Sequence, residues 1–384
     1  MIKKLCIISS YYPSQTDPYY AFVGTLVEQF ADSGIECHVI TPVSNMEKKH
    51  RGNTRVESTK KGSKIWVYCP SYTVYPSRNI LGFQTYRFTA HSKRKALKRV
   101  FDKYVGTCDA IYSHFVDSAI YAAWLSKKTG IPAFAAIGES DLTKKALSYS
   151  LFKEDLYNYI RAVVAVSSEL KREALLLEVF SKDTPIEVFP NGIDSELFKP
   201  LNKAECREKL GIDEEDFVIS FVGGFIKRKG FDRLQEAVSR HPKWKCILIG
   251  AGEVPIVLPK SQVVYSGRIP HEQIPNYICA SDVFALPTQA EGCCNAIIEA
   301  MGCGLPIVSS NRSFNNDVLN DTNSVLIDPD SVDACEEALR RIEDDESLRT
   351  LLVNGALQQA RKLSITNRAA GIVGFMEKHY ENNY

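Results

Sequence analysis

The stretch EGCCNAIIEAMGCGLP, residues 291–306, holds two glutamates, Glu291 and Glu299, with seven residues between them. The preceding DVFALPT reads as a buried strand, QAEGCC as the loop that leaves its carboxyl end, and AIIEAM as a helix starting near Asn295. Ligands of open α/β sheets lie beyond the carboxyl ends of strands, and the free N–H groups of a helix start attract phosphate. The N–H groups of Asn295 and Ala296 would then form a phosphate seat. Gly292 and the small Cys293 and Cys294 allow close approach to the backbone. Glu291 on the loop would lie over the ligand, and Glu299 about one turn into the helix, roughly 6 Å further along. Carboxylates accept and do not donate, so the pair suits hydroxyls on two sugars and not the phosphate itself. Taken alone, such an interval is more often two solvated glutamates.

A second candidate is FVGGFIKRKGFDRL, residues 221–234, which runs strand, glycine-rich turn, basic cluster, helix. Gly223 and Gly224 permit a tight turn. Lys227, Arg228 and Lys229 stand just before a helix expected to begin near Gly230. Cations beside a helix N-terminus oppose its dipole, so the cluster is better explained with an anion there; a diphosphate fits, and a solvated basic loop is the plainer reading. Other motifs are weaker. No GxxxxGK[ST] occurs, and the first strand runs into SSYYPSQ instead of GxGxxG. GAGE after KCILIG is half of that fingerprint. Asp328 and Asp330 in DPD resemble a metal-binding pair, but Asp330 or Ser331 more simply caps a helix. His114 ends a strand in YSHFVDSA and is as a lone histidine more often structural.

The elements that would position these groups are short apolar runs alternating with helical patterns. KLCIISS, CHVITP, IWVYCP, AIYSHF, PAFAAIG and AVVAVS read as strands in the first half, and DFVISFVGG, KCILIG, VVYSG, DVFALPT, PIVSSN and VLIDP in the second. Most are continuously apolar, as parallel strands covered on both faces must be. Two doubly wound α/β domains follow, with a boundary near VFPNGIDSELFKPLN, where Pro190, Asn191, Gly192 and Pro200 favour turns. The first domain is expected at 1–190, completed by a C-terminal helix at 365–384, and the second at 191–364.

A chain of 384 residues with 45% hydrophobic content supports two such cores. Its net charge of +1 argues against a nucleic-acid partner. The halves differ: residues 1–190 carry 26 Lys and Arg against 18 Asp and Glu, and residues 191–384 carry 21 against 28. Eleven cysteines without CxxC spacing fit a reduced cytoplasmic protein. No run is long enough for a membrane span. HSKRKALKRVFDKY, residues 91–104, sets Lys93, Arg94, Lys95, Lys98, Arg99 and Lys103 on a helical pattern. It is either a solvated face or a docking surface for anionic lipid, at about 1 kcal/mol per cation.

Together these features resemble the retaining glycosyltransferases of family 4, which have the GT-B fold. VFPNGIDSELFKP is similar to that family's interdomain segment, FVGGFIKRKG to its phosphate loop, and LPTQAEGCCNAIIEAMGCGLPIVSSN to its donor signature, in the same order. The resemblance implies two Rossmann-like domains facing across a cleft, the rear one holding a nucleotide-sugar donor. Glu299 would accept from the ribose hydroxyls, Glu291 would contact the donor sugar, and Lys229 with Arg228 would hold the phosphates. Gly223, Gly224, Gly292, Asn295 and Ala296 would offer close backbone, and Arg268 and Ile269 would lie at the base. His114, Gly138, Glu139 and Asp141 would face the acceptor in the front domain. The implied reaction is transfer of a sugar, by family prevalence from UDP, to a hydroxyl of a saccharide or lipid-linked acceptor. No metal or cofactor is expected. A nucleotide-sugar 2-epimerase and a non-catalytic nucleotide-sugar binder are the alternatives. The sequence departs from the family pattern in three places. Gly224 replaces an arginine, Gly138-Glu139 replaces a His-Gly pair, and DPYYAFVG replaces a glycine pair in the first loop, where a helix starting near Ala21 can still offer N–H groups.

Overall fold

The computed structural model describes residues 1–14, 20–46, 54–76, 78–80 and 83–380. Asp17, Pro18 and Tyr19 of the first loop lie outside the described residues. The chain divides into two compact units. One comprises Met1–Val166, Leu170–Phe189 and Ala369–Tyr384, and the other Ser167–Glu169 and Pro190–Arg368.

The first unit is built on an eight-stranded sheet. Its strands are β1 (Lys4–Ser9), β2 (Glu36–Ile40), β3 (Arg55–Ser58), β4 (Lys64–Tyr68), β5 (Ala110–His114), β6 (Ala133–Ile137), β7 (Ile160–Ala165) and β8 (Ile186–Val188). They lie in the order β8-β7-β6-β5-β1-β2-β4-β3. All neighbours are parallel except β3 on β4. Residues of β5 and β6 are all buried, as their unbroken apolar sequence requires. The edge strand β3 has no fully buried residue and alternates between half-buried and exposed, which is why its RVES stands out less as a strand. Between strands run α1 (Ala21–Asp32), α2 (Tyr86–Val100) and α3 (Val116–Thr129), the last packed on β5 and β6.

The second unit has six parallel strands: β9 (Phe217–Val222), β10 (Trp244–Ile249), β11 (Val263–Gly267), β12 (Val283–Leu286), β13 (Ile307–Ser310) and β14 (Ser324–Ile327). Their order, β11-β10-β9-β12-β13-β14, is that of a dinucleotide-binding sheet, and its direction reverses between β9 and β12. The helices that matter are α4 (Phe231–Ser239), α5 (Asn295–Gly302), α6 (Val332–Asp344), α7 (Glu346–Lys362) and α8 (Ile365–Lys378). The core joins Phe221, Phe225 and Phe231, the last two stacked with centroids 4.1 Å apart. Each buried ring contributes about 1.5–3 kcal/mol, and together they anchor both ends of the basic turn between them. From Ala369 onward α8 belongs to the first unit, where Glu377 accepts from the Ile2 N–H at 2.8 Å.

One surface expectation changes. The basic stripe of residues 91–104 is not a free cationic face. Lys93 is buried, its ammonium over the rings of Tyr72 and Tyr121, and Arg94 pairs with Asp155 at 3.1 Å. Helical periodicity turns those two inward, while Arg87, Phe88, His91, Lys95 and Arg99 share the exposed side. Lys98 pairs with Asp102. No described helix is long and apolar enough to cross a membrane.

Candidate functional site

The loops after β9 and β12 flank the reversal of strand order in the second unit, where open α/β sheets bind ligands. After β9 the chain passes through Gly223 and Gly224 into a single turn, Lys227–Lys229, and then α4. Gly230 sits at φ +73° against the loop after β12, and a Cβ there would lie 2.2 Å from the Pro287 carbonyl oxygen. No other residue permits that approach. A Cβ on Gly250 would meet the Gly223 oxygen at 1.9 Å, and one on Gly252 the Phe225 oxygen at 2.3 Å. The GAGE glycines therefore serve close packing between strand-end loops. Gly223 N–H to Ile249 O and Gly250 N–H to Gly267 O complete the lacing across β9, β10 and β11. Gly224 is different: a Cβ there would meet nothing nearer than 3.9 Å.

This scaffold brings Lys229, Arg228 and Glu291 together. The Lys229 ammonium lies 2.6 Å from Glu291 Oε1, and Arg228 Nη1 lies 3.2 Å from the same oxygen while donating to the Ala290 carbonyl. Thr288, fully buried, donates to Glu291 Oε1 at 3.1 Å and reaches the Arg228 carbonyl at 3.2 Å. Burial works against the charge of Lys229, but the neighbouring Cys294 sulfur and Glu291 carboxylate more than offset it and raise its pKa. Lys229 thus stays an ammonium, held by a carboxylate that an anionic ligand would have to displace. Lys227 is exposed.

Helix α5 begins at Asn295, with Cys294 as its cap residue. No side chain caps its first N–H groups, as a seat for an anion requires. The Asn295 Oδ1 is buried without a hydrogen-bond partner. Asn191 steadies the loop just before the helix, donating from Nδ2 to the Cys293 carbonyl at 3.0 Å. Burial raises the thiol of Cys293 to about 12, and all eleven cysteines are unpaired by disulfides. Gly292 precedes them in the same loop. One turn into α5, Glu299 Oε1 meets His271 Nε2 at 2.9 Å. Arg268 is exposed and Ile269 half-buried, in the segment between β11 and His271.

Sequence reasoning passed over Thr288, Asn191 and His271. A threonine directly after a strand and an asparagine in a proline-glycine turn carry no chemical signal until the chain folds. His271, three residues after Arg268, was the most findable, since it lies in the segment expected at the base. In the acidic pair, Asp330 accepts from Arg312 at 3.0 Å, and Ser331 caps α6 by accepting from the Ala334 N–H, the simpler of the two roles the sequence offered.

In the first unit the reversal of strand order falls between β1 and β5, and His114 stands at the end of β5. Its ring is buried among Tyr112, Phe115 and Phe22, with centroids 5.2–6.4 Å away. Gly138 follows β6, and a Cβ there would lie 3.2 Å from the Phe115 ring. Glu139 is 8% exposed and bridges two backbone donors: Oε1 accepts from Val116 N–H at 2.7 Å and Oε2 from Gly138 N–H at 3.0 Å. It ties the end of β6 to the first residue of α3, directly after Phe115 at φ +69°. Burial pushes its carboxyl up to about 7, against the pull of those donors. Asp141 is bound to the Thr143 backbone and hydroxyl, which with Lys144 hold it below the usual carboxylate range.

Comparison with known proteins accounts for both halves. Residues 21–197 match the model described as Glycosyltransferase Family 4, and residues 202–359 the model described as Glycosyl transferases group 1. A Bacillus subtilis protein provisionally named as the teichuronic acid biosynthesis glycosyltransferase TuaC is 28% identical over 361 residues, covering 89% of this chain and 90% of that protein. The Escherichia coli UDP-Gal:alpha-D-GlcNAc-diphosphoundecaprenol alpha-1,3-galactosyltransferase is 32% identical over 202 residues, 48% of this chain and 51% of its own. Among solved structures, sucrose-phosphate synthase from Thermosynechococcus elongatus superposes with a TM-score of 0.78 at 19% identity, covering 98% of both chains. HepE of Anabaena, in complex with UDP and glucose, gives 0.73 at 16% identity, covering 98% of this chain and 100% of its own. With both halves matched in order and the whole chain superposing on glycosyltransferase structures, this protein belongs to the family 4 glycosyltransferases and has the GT-B fold.

Proposed function

We propose that the second unit binds a nucleoside-diphosphate sugar, with UDP as the nucleotide, and that the enzyme transfers the sugar to a hydroxyl with retention at the anomeric carbon and without a metal. The observation that carries this reading is the Lys229–Glu291–Arg228 cluster at the strand-order reversal, beside the uncapped start of α5. The diphosphate would engage Lys229, Arg228 and the N–H groups of Asn295 and Ala296. Glu291, freed from its cations, would accept from donor-sugar hydroxyls, and Glu299 from the ribose. As the sugar–oxygen bond breaks, negative charge grows on the leaving diphosphate, where fixed cations and helix N–H groups act most strongly. A diphosphate oxygen is then placed to take the acceptor's proton, so no side-chain base is required.

The acceptor side falls to the first unit, at His114, Gly138, Glu139 and Asp141. The acceptor class is a saccharide or lipid-linked intermediate of cell-surface polysaccharide or glycolipid synthesis; the E. coli relative is named for an acceptor sugar linked to diphosphoundecaprenol. The exposed side of α2, with Arg87, Phe88, His91, Lys95 and Arg99, fits a peripheral position at the cytoplasmic face of a membrane. The test is thermal-shift screening against nucleoside diphosphates and their sugars. A ligand at 100 times its Kd adds roughly 2.7 kcal/mol of stability. A positive donor then enters a transfer assay with and without chelator, with product anomers read by NMR. An unmoved melting curve across the panel, or an inverted anomer, overturns the proposal.

A further inference from the structure

The reading of Glu299 as a ribose acceptor leaves open what holds its carboxylate in place. Its side chain is 12% exposed, and its Oε1 is taken by His271 Nε2 at 2.9 Å. His271 opens the short turn His271–Gln273, just after the segment containing Arg268 and Ile269. Its ring leans on Phe198 with centroids 5.1 Å apart. Phe198 is itself buried against α5, close enough that a Cβ on Gly302 would lie 2.8 Å from its carbonyl oxygen. The imidazole is therefore braced by a residue packed on the same helix that carries Glu299. One carboxylate oxygen is anchored, and the bond to His271 does not use Oε2, which keeps its lone pairs for an incoming hydroxyl.

We propose that His271 is a positioning residue of the donor site: it clamps Glu299 in the orientation that accepts from the nucleotide's ribose and adds a titratable positive charge near the bound nucleoside diphosphate. This rests on the donor-site reading given above. The groups facing the imidazole are acidic: Glu299 from α5, Glu272 on its own turn, and Asp194 from the segment after the unit boundary. The hydrogen bond to Glu299 raises the His271 pKa above its usual value, against the effect of burial. The imidazolium therefore persists to higher pH than in a free histidine. As pH rises through the raised pKa the charge is lost, while a neutral imidazole can still donate from Nε2. Donor affinity should therefore weaken with rising pH without collapsing.

The experiment measures UDP affinity by calorimetry and donor KM and kcat between about pH 6 and 9, for wild type, His271→Leu and His271→Gln. His271 is substantially exposed, and melting curves confirm that each variant folds. His271→Leu is expected to raise UDP Kd and donor KM about fivefold near neutrality, with kcat within about twofold, since a charge-assisted bond is lost from binding alone. His271→Gln, which keeps a donor at a similar reach but no charge, should recover most of the affinity and show a flat pH profile. Unchanged UDP affinity in His271→Leu, or a wild-type pH slope in His271→Gln, sinks this inference and leaves the donor site standing. Failure of the wild-type protein to bind any nucleoside diphosphate removes both.

Discussion

The two units place their chemistry-bearing residues at equivalent points, the loops beside a reversal of strand order, yet those points are built in opposite ways. In the second unit the loops are glycine-laced and carry cations, with Lys229 and Arg228 both on one carboxylate oxygen and an uncapped helix start beside them. In the first unit the corresponding loops are packed with aromatic rings, and the charged group at their centre is Glu139, held by two backbone N–H groups. The same sheet can thus present a cation-rich loop beside an uncapped helix start or a braced, largely buried junction. The difference lies in the loop residues and not in the frame.

The comparison breaks most clearly at Lys229. Lys229→Ala should lower kcat/KM at least about tenfold, or 1.4 kcal/mol of transition-state stabilisation. Arg228 and Thr288 still hold Glu291, so the loss should appear in turnover and UDP binding, with little change in melting. Near-normal kcat/KM would remove Lys229 from its assigned role.

Glu139→Gln should do the reverse. An amide offers one acceptor oxygen where the carboxylate offers two, so the Val116 or Gly138 N–H loses its partner, at about 1–3 kcal/mol. Melting should fall while UDP affinity stays put. The sign of the pH dependence follows from the raised carboxyl. With a folded value of about 7 against an ordinary value of 4.5, the folded state holds the proton that the unfolded state releases. Glu139 therefore favours folding less as pH rises across that window. The deficit of Glu139→Gln relative to wild type should be largest at the acid end, shrink as pH rises across that window and level off above about 7. Denaturant titrations at several pH values check this, and a deficit that grows with pH would contradict the burial assigned to Glu139.

The smallest effect sharpens the contrast by adding to it. Gly224 has space for a side chain, so Gly224→Arg should fold normally and add a cation to the loop after β9. UDP affinity should rise by a few-fold, about 0.5–1 kcal/mol, and the gain should fade with added salt. Calorimetry at two ionic strengths measures it. No gain at low salt would mean that Gly224 does not border the phosphates.

Much of this was open to reading along the chain. Each of the twelve apolar runs became a parallel strand, most of them because a strand covered on both faces has to be apolar along its length; the edge strand β11 is apolar without being fully buried. The Glu291–Glu299 interval, the basic turn before α4 and the proline-glycine boundary were visible because local sequence sets a loop and a helix start. The edge strand Arg55–Ser58 was missed, since a half-exposed antiparallel strand needs no apolar run. Lys93 was misread as surface, because a lysine at a helical position announces its charge and not the rings of Tyr72 and Tyr121 that cover it.

Sequence by itself thus determined the class of fold, the order of its elements and the residue types available at each strand end, all of which follow from short-range periodicity and turn chemistry. Tertiary structure alone decided which of those residues meet. It set Lys229 on Glu291, His271 on Glu299, and Glu139 on the first N–H of α3, and it required glycine at 230, 250 and 252. Each of these brings together residues from different strand-end segments, and where those segments meet is fixed by strand order and packing over the whole unit, which no local stretch encodes.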